Sequence, residues 1–294
     1  MERLPGYRHL DLRPVAEGFG AEVVDLDFGR PLGEPVWQEI VRAFHEQRLL
    51  LFRGQELAPE QIVAASRRFG RPEAHIDSSN LLEGHPEIIK IGNLKVDGVM
   101  RSLFVNAREE WHFDYSYVPT PSIGALFYAV AIPPEGGDTL FADSTAAFEA
   151  LDEAEKRRLR GLTTVHSWAH FHLQLEAMDP TRKPLSEDAL AKYPPVRQPL
   201  VHRHPVTGRE SLWLCPQVIV EIEGLAPDES RALLERLQAH AIQPRFFHRH
   251  RWREKDLAIW DNRALLHSAT VFDHERHLRL LWRTTILAEA PAAA

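Results

Sequence analysis

The stretch WHFDYSY, Trp111 to Tyr117, sets a histidine and an aspartate two positions apart among aromatic residues. Alternate side chains of a strand share a face, so His112 and Asp114 can aim an imidazole and a carboxylate at one point. Two imidazoles and one carboxylate leave open positions on a metal, an arrangement suited to Fe(II) oxygen chemistry. HID, His75 to Asp77, has the same spacing, so spacing alone does not choose between the two pairs. The chain around His112 supplies more of a site. GGDT ends at Thr139, and WDNRALLH offers His267 at a strand end. Arg279 and Arg283 follow on a β-like stretch whose period puts both on one face of a sheet. The plainer alternative for His112 and Asp114 is an ordinary polar network at a strand end.

The elements that must position these residues are visible in the hydrophobic pattern. A strand is expected over Ala21 to Phe28, a helix over Glu34 to Gln47, a buried strand over Arg48 to Gly54 and a helix over Ala58 to Gly70. EIIKIGNL reads as a strand, and the stretch from Lys95 to Glu110 as a loop. Pro121 to Ser144 holds two strands split by the turn PPEGG. STAAFEALDEAEKRRLRGL opens on a Ser/Thr cap and is expected to form one helix. Residues 165–198 show no period and suggest a loop-like lid, as do residues 75–110. LVHRHPVTGRESLWL reads as a hairpin turning at TG, and APDESRALLERLQAHA as an amphipathic helix. The C-terminal stretches DLAIWDNRALLHSATVFD and LRLLWRTTILAE are β-like. One mainly β domain over residues 1–294 with flanking helices is expected, its core a sandwich or barrel.

Composition bounds the function. The chain has 294 residues, 44% hydrophobic, with 7 Trp and 14 Phe, enough for a sizeable core and an aromatic-lined pocket. A formal net charge of −7 gives no basis for binding nucleic acid or an anionic membrane. The single cysteine, Cys215, rules out a Cys-based zinc cluster and suits a reducing compartment. MERLPGYRHLDLRPV lacks an apolar signal-type core, so a cytoplasmic protein is expected. Sixteen histidines are many, and several fall in H-x-H pairs, among them His202/His204 and His248/His250. Most of these are expected to be solvated or hydrogen-bonded. Trp111 is expected in the core, and Trp260, Asp261 and Asn262 are expected to brace the strand bearing His267.

Taken in order, WHFD, GGDTLFADS followed by AF and AL, VHRHPVTGRESL, WDNRALLH and the arginines ahead of TIL resemble the taurine dioxygenase/phenoxyalkanoate dioxygenase family. These are Fe(II)- and 2-oxoglutarate-dependent oxygenases, and the likeness runs over about residues 20–288. It implies a double-stranded β-helix, or jelly-roll, core. It further implies that His112, Asp114 and His267 hold Fe(II), and that Thr139 and Arg279 hold the distal carboxylate of 2-oxoglutarate. Arg283 matches a position near the acidic group of the primary substrate. Phe104, Arg108, Tyr115, Tyr117 and His75 are the remaining candidates for the substrate pocket.

The implied reaction consumes O2 and 2-oxoglutarate, releases succinate and CO2, and oxidises a small substrate. Hydroxylation beside a heteroatom would cleave a C–O or C–S bond. Related halogenases lack the carboxylate that Asp114 supplies, so oxygen insertion or desaturation is implied here. Sulfonate-cleaving members carry an Asn where this chain has Arg108 and a Phe where it has Val218. The expected substrate is therefore a small carboxylate of aryloxyalkanoate type or an amino-acid derivative. A homo-oligomer is implied by resemblance, with no nucleic acid or membrane as partner. Two other classes fit parts of the pattern. A metal-dependent hydrolase would have no need of Thr139 or Arg279, and a non-catalytic jelly-roll binder would tolerate loss of the triad.

Overall fold

The apolar run after Gln47 becomes a fully buried strand, Leu49–Phe52. In the computed structural model, which describes residues 3–75, 79–103, 111–178 and 184–288, this strand sits inside a nine-stranded sheet. The sheet runs Asp11–Pro14, Ala21–Val24, Leu49–Phe52, Leu257–Asp261, Gly124–Ala131, Leu280–Leu287, His85–Gly92 and Leu81–Leu82, with Arg71–Pro72 attached to Leu280–Leu287. Its pairings are antiparallel except that of Ala21–Val24 with Leu49–Phe52. A second sheet has Thr139–Asp143 in its centre, flanked by Phe247–His250 and Leu265–Ala269.

Strand alternation divides the core. Leu50 and Phe52 point to one face, where they pack with Ile40, Phe44, Ile62 and Ala65 of the helices Glu34–Gln47 and Pro59–Ser66. Leu49 and Leu51 point to the other and join Phe127, Trp260 and Leu281 against Phe141 and Leu265 of the second sheet. Fully burying each such side chain contributes roughly 1.5–3 kcal/mol. A third cluster, around Phe113, Trp213, Leu200 and Leu237, packs the helix Pro227–Ala241 against the other side of the second sheet's Leu140 and Leu266. Trp111 is buried in that cluster. No helix among the described residues is long and apolar enough to cross a membrane.

Several local expectations need correction. The first predicted strand is shorter, Ala21–Val24, because Asp25 adopts φ +58° and turns the chain. The helix predicted after Asp143 is two, Ser144–Glu149 and Glu153–Arg160. The Asp143 carboxylate, not a Ser or Thr, caps the first by accepting from Thr145 and Ala146 amides, and Asp152 caps the second. Residues 165–198 are not a bare loop: they hold the helices Trp168–Met178 and Glu187–Lys192 and parts of two strands. Lys95–Val96 and Val99–Met100 pair as a small hairpin where a loop was expected.

Several histidines are hydrogen-bonded as expected, among them His166 to Thr164, His172 to Glu176 and His240 to the Ala147 carbonyl, but four rings are more deeply buried than a solvated histidine would be. His166, His202, His248 and His250 are pushed down by burial to about 3, 4, 4 and 2, and each has a buried ring nitrogen without a hydrogen-bond partner among the described residues. Folded, they stay neutral; unfolded, they protonate near pH 6.5. The unfolded chain therefore binds more protons below that pH, and stability falls as pH drops from about 6.5 towards the folded values, by up to about 1.4 kcal/mol per pH unit for each histidine. Urea unfolding midpoints should fall between pH 7 and 5, and His250→Gln should flatten the dependence. Equal slopes in the two proteins would refute this.

Candidate metal centre

The two candidate imidazoles sit on paired backbone. The His112 amide donates to the His267 carbonyl at 3.0 Å, and the His267 amide returns to the His112 carbonyl at 3.1 Å. This antiparallel bridge brings the ring centroids to 4.2 Å. His267 is itself fixed in the second sheet, opposite Phe141. Asp114 follows two residues after His112, and its oxygens lie 3.7 Å from His112 Nε2 and 3.6 Å from His267 Nε2. One ligand atom from each of the three residues falls within 4.8 Å of the others.

Asn262 holds Asp114 in place. Its Oδ1 accepts from the Asp114 amide at 2.8 Å, and its Nδ2 donates to the Asp114 carbonyl at 2.9 Å and to the Ser122 carbonyl at 3.0 Å. The sequence had suggested that Asn262 braces the His267 strand; the structure gives its side chain to Asp114. Replacing Asn262 with Ala should weaken Fe(II) binding about tenfold or more, the size expected when the support of a ligand is lost. Equilibrium metal titration, with urea unfolding as the control, checks this. Unchanged Fe(II) affinity would assign Asn262 to the fold alone.

The electrostatics suit a cation. Burial, with His112 adding to it, lowers His267 to about 3, so its ring is neutral and keeps a lone pair for a metal. Burial alone would raise Asp114, but Arg283, His267 and His112 outweigh it and hold the carboxyl below its ordinary value. The donor set is thus two imidazoles and an ionised carboxylate, which fits Fe(II). His75 is not among the clustered donors of the described residues. His75 lies 3.6 Å from Glu73, and Asp77 is outside the described residues.

A second cluster, His45, His204 and Asp261, has similar separations. Its donor atoms are already committed. His204 Nδ1 accepts from the Val206 and Thr207 amides, so Nε2 carries the proton and donates to Asp261 at 2.9 Å. Arg263 grips both Asp261 oxygens, at 2.8 and 2.6 Å. Burial would raise Asp261, yet Arg263, His204 and His45 hold it far below the carboxylate range. This network braces the turn that carries Asn262.

Arg279 lies across the hairpin that leads into Thr139. Arg279 is 6% exposed, and burial pushes its guanidinium down to about 10. Its Nε donates to the Gly137 carbonyl at 2.8 Å, and its amide donates to Asn93 Oδ1 at 2.8 Å. A Cβ on Gly137 would stand 2.8 Å from Arg279 Cδ, and φ +66° there disfavours any side chain, so the second glycine of GGDT makes room for the arginine. Thr139, also buried, accepts from Trp252 Nε1 at 3.0 Å. An indole N–H only donates, so the Thr139 hydroxyl proton is free to go to another acceptor.

Arg283 shares the inward strand face with Leu281, while Trp282 and Thr284 meet Tyr128 and Ser66 on the helix face. Its guanidinium lies 2.9 Å from Asp114 Oδ2 and 5.9 Å from the centre of the Phe127 ring. An aromatic wall faces this region. Tyr117 meets Tyr115, Tyr193 and Trp168 with ring centroids 5.8, 5.7 and 6.3 Å apart. Tyr115 takes φ +57° and donates to Glu73 at 2.5 Å. Phe104 and Arg108 lie outside the described residues. Sequence reasoning missed Trp168, Tyr193, Glu73 and Trp252. Of these, only Trp252 had a signal, the alternation of HRHRWR.

The model of the family described as "Taurine catabolism dioxygenase TauD, TfdA family" matches residues 11–285. The chain is 34% identical to an alpha-ketoglutarate-dependent 2,4-dichlorophenoxyacetate dioxygenase of Cupriavidus pinatubonensis over 282 residues, 93% of this chain and 96% of that one. It is 35% identical to an (S)-phenoxypropionate/alpha-ketoglutarate-dioxygenase of Sphingobium herbicidovorans over 291 residues, 95% of each. Among solved structures, AAD-2 in complex with Mn(II) and N-oxalylglycine superposes with a TM-score of 0.78 at 29% identity, covering 97% of this chain and 99% of that one.

Proposed function

The chain belongs to the TauD/TfdA dioxygenase family, and from that premise we propose that it is an Fe(II)- and 2-oxoglutarate-dependent dioxygenase of a small aryl-bearing acid. The observation that carries the reading is the convergence of His112, Asp114 and His267 within 4.8 Å. In this reading those three residues hold Fe(II). Bound iron, with O2 and 2-oxoglutarate, supplies the oxidising power, and 2-oxoglutarate leaves as succinate and CO2.

Arg279 and the Thr139 hydroxyl take the distal carboxylate of 2-oxoglutarate, the arginine through a directional, charge-assisted pair. Such an anion would offset the desolvation that Arg279 bears in the folded chain. A hydrolase would have no use for this second, buried grip. The core is a jelly roll in this reading, built as a single domain from the two facing sheets. Of the segments expected as lids, the described residues Trp168 and Tyr193 of the second cover the site beside Tyr117 in this reading. Cytoplasmic placement rests on the lone buried Cys215, and self-association on the family resemblance.

Arg283 selects the substrate's acid group. Its place beside Asp114 holds an acid next to the ligand set, so the carbon bearing the carboxylate is the one presented for oxidation. Tyr115, Tyr117, Trp168 and Tyr193 pack the aryl part, and His75 lines the same side. Two relatives named for phenoxyalkanoates agree with this class. Hydroxylation at a carbon that also bears an ether oxygen yields a hemiacetal, which breaks to a phenol and an oxo acid.

Succinate formation with aryloxyalkanoic acids and their neutral amides tests the reading. Acids should stimulate turnover and amides should not. Arg283→Leu should lower kcat/KM for the acids by roughly tenfold to a hundredfold, the worth of a hydrogen bond to a charged group. Equal stimulation by amides, or an unchanged preference in Arg283→Leu, would sink the assignment.

A further inference from the structure

The motif FHRHRWR, Phe247 to Arg253, has no role in the dioxygenase site apart from Trp252. It starts in the strand Phe247–His250 and keeps a period of two beyond it. His250 and Trp252 are buried, their rings 4.4 Å apart, and Trp252 reaches Thr139. Arg249, Arg251 and Arg253 alternate with them and are exposed. Arg53, just past the strand Leu49–Phe52, arrives from the large sheet and donates to the Arg251 carbonyl at 3.3 Å. Together these residues line a cavity of about 510 Å³ whose walls are Arg53, Arg249, Arg251, Arg253 and Trp252.

We propose that this cavity is a second anion-binding site, separate from the iron centre, for a compact multivalent oxyanion. Four guanidinium groups converge in a chain whose formal net charge is −7, so the cluster does not follow from a general surplus of base. Arg53 is paired with Asp256 and Glu22, and Arg249 with Asp138. Arg251 and Arg253 make no guanidinium–carboxylate ion pair among the described residues, although the Arg253 amide donates to Asp256 at 2.7 Å and its charge acts on that carboxyl. Like charges so gathered repel, and a bound anion removes that cost. Guanidinium forks match the oxygens of phosphate and carboxylate. The volume lies in the range of small-molecule sites. Four arginines in one depression, on an otherwise acidic protein, favour a small anion over the long charged track that a nucleic acid needs. Phosphate and polycarboxylate share the required chemistry.

Calorimetric titration at low ionic strength tests the site. The full chain, loaded anaerobically with Fe(II) and 2-oxoglutarate, is titrated with inorganic phosphate and, separately, with tricarballylate. The same titrations are run on the metal-free protein. Saturable binding of one anion per chain is expected in both forms, and the tighter of the two probes identifies the ligand type. Arg251→Ala/Arg253→Ala should weaken binding at least tenfold, and Arg251→Lys/Arg253→Lys should fall between it and the parent protein. Both positions are exposed, so thermal unfolding should be unchanged. Binding that never saturates, that is abolished by loading with Fe(II) and 2-oxoglutarate, or that is equal in the parent and both variants overturns the proposal.

Discussion

His267→Ala leaves the chain folded and without measurable 2-oxoglutarate turnover. The ring is buried and neutral and lies 3.6 Å from Asp114, so its removal takes one of the three proposed ligands from the centre. Loss of a ligand's supporting residue typically costs about tenfold to a hundredfold in metal affinity, so loss of a ligand itself should cost at least about a hundredfold in Fe(II) affinity. The fold survives because His267 Nδ1 has no hydrogen-bond partner among the described residues, so no buried partner there is left stranded. The backbone pair with His112 does not depend on the side chain. Fe(II) titration, succinate assay and thermal unfolding together check the result. His112→Ala should behave alike, and His75→Ala should bind Fe(II) normally. A fully active His267→Ala protein, or a metal-free His75→Ala protein, would reject the triad.

Arg279→Leu is expected to lose 2-oxoglutarate binding by about tenfold to a hundredfold while its thermal midpoint stays level or rises. Burial pushes the Arg279 guanidinium down to about 10, the sign of a cation whose lost hydration the folded chain offsets only in part. Leucine removes that cost and keeps much of the volume. The cosubstrate, in contrast, loses a charge-assisted pair. Arg279→Lys should rescue binding only partly, since ammonium is a point charge without a fork. Titration of 2-oxoglutarate into the Fe(II)-loaded protein gives the affinities. If Arg279→Leu binds normally and Arg283→Leu does not, the two arginines have exchanged roles.

The contrast between these arginines was invisible in the chain itself. Their spacing suggested one face of a strand, from a period of two; the strand begins only at Leu280, and a register shift between Leu280 and Leu281 interrupts that period between the two arginines. The spacing could not say that Arg279 lies across Gly137 while Arg283 lies against Asp114. The small residue that admits Arg279 comes from a hairpin far away in sequence, and only chain crossing brings them together.

Period and composition by themselves did not mark the strands Asp11–Pro14, Arg71–Pro72, Leu81–Leu82 and Phe247–His250. They did mark the strands Leu49–Phe52, Gly124–Ala131, Thr139–Asp143, Leu257–Asp261, Leu265–Ala269 and Leu280–Leu287, the helices Glu34–Gln47 and Pro227–Ala241, and the hairpin Val201–Leu212. These depend on which side chains leave water, and alternation of apolar residues records that directly. The order of the motifs also marked His112, Asp114, His267, Thr139 and Arg279 as the candidates. The tertiary structure decided what the pattern could not carry. It gave Asn262 to Asp114, split the helix after Asp143, and formed the helices Trp168–Met178 and Glu187–Lys192, at whose ends Trp168 and Tyr193 meet Tyr117. It also buried His166, His202, His248 and His250 as neutral rings. Whether a polar side chain meets a partner, a cavity or the core depends on residues distant in sequence. A local window records the period of a strand and says nothing of what stands opposite it.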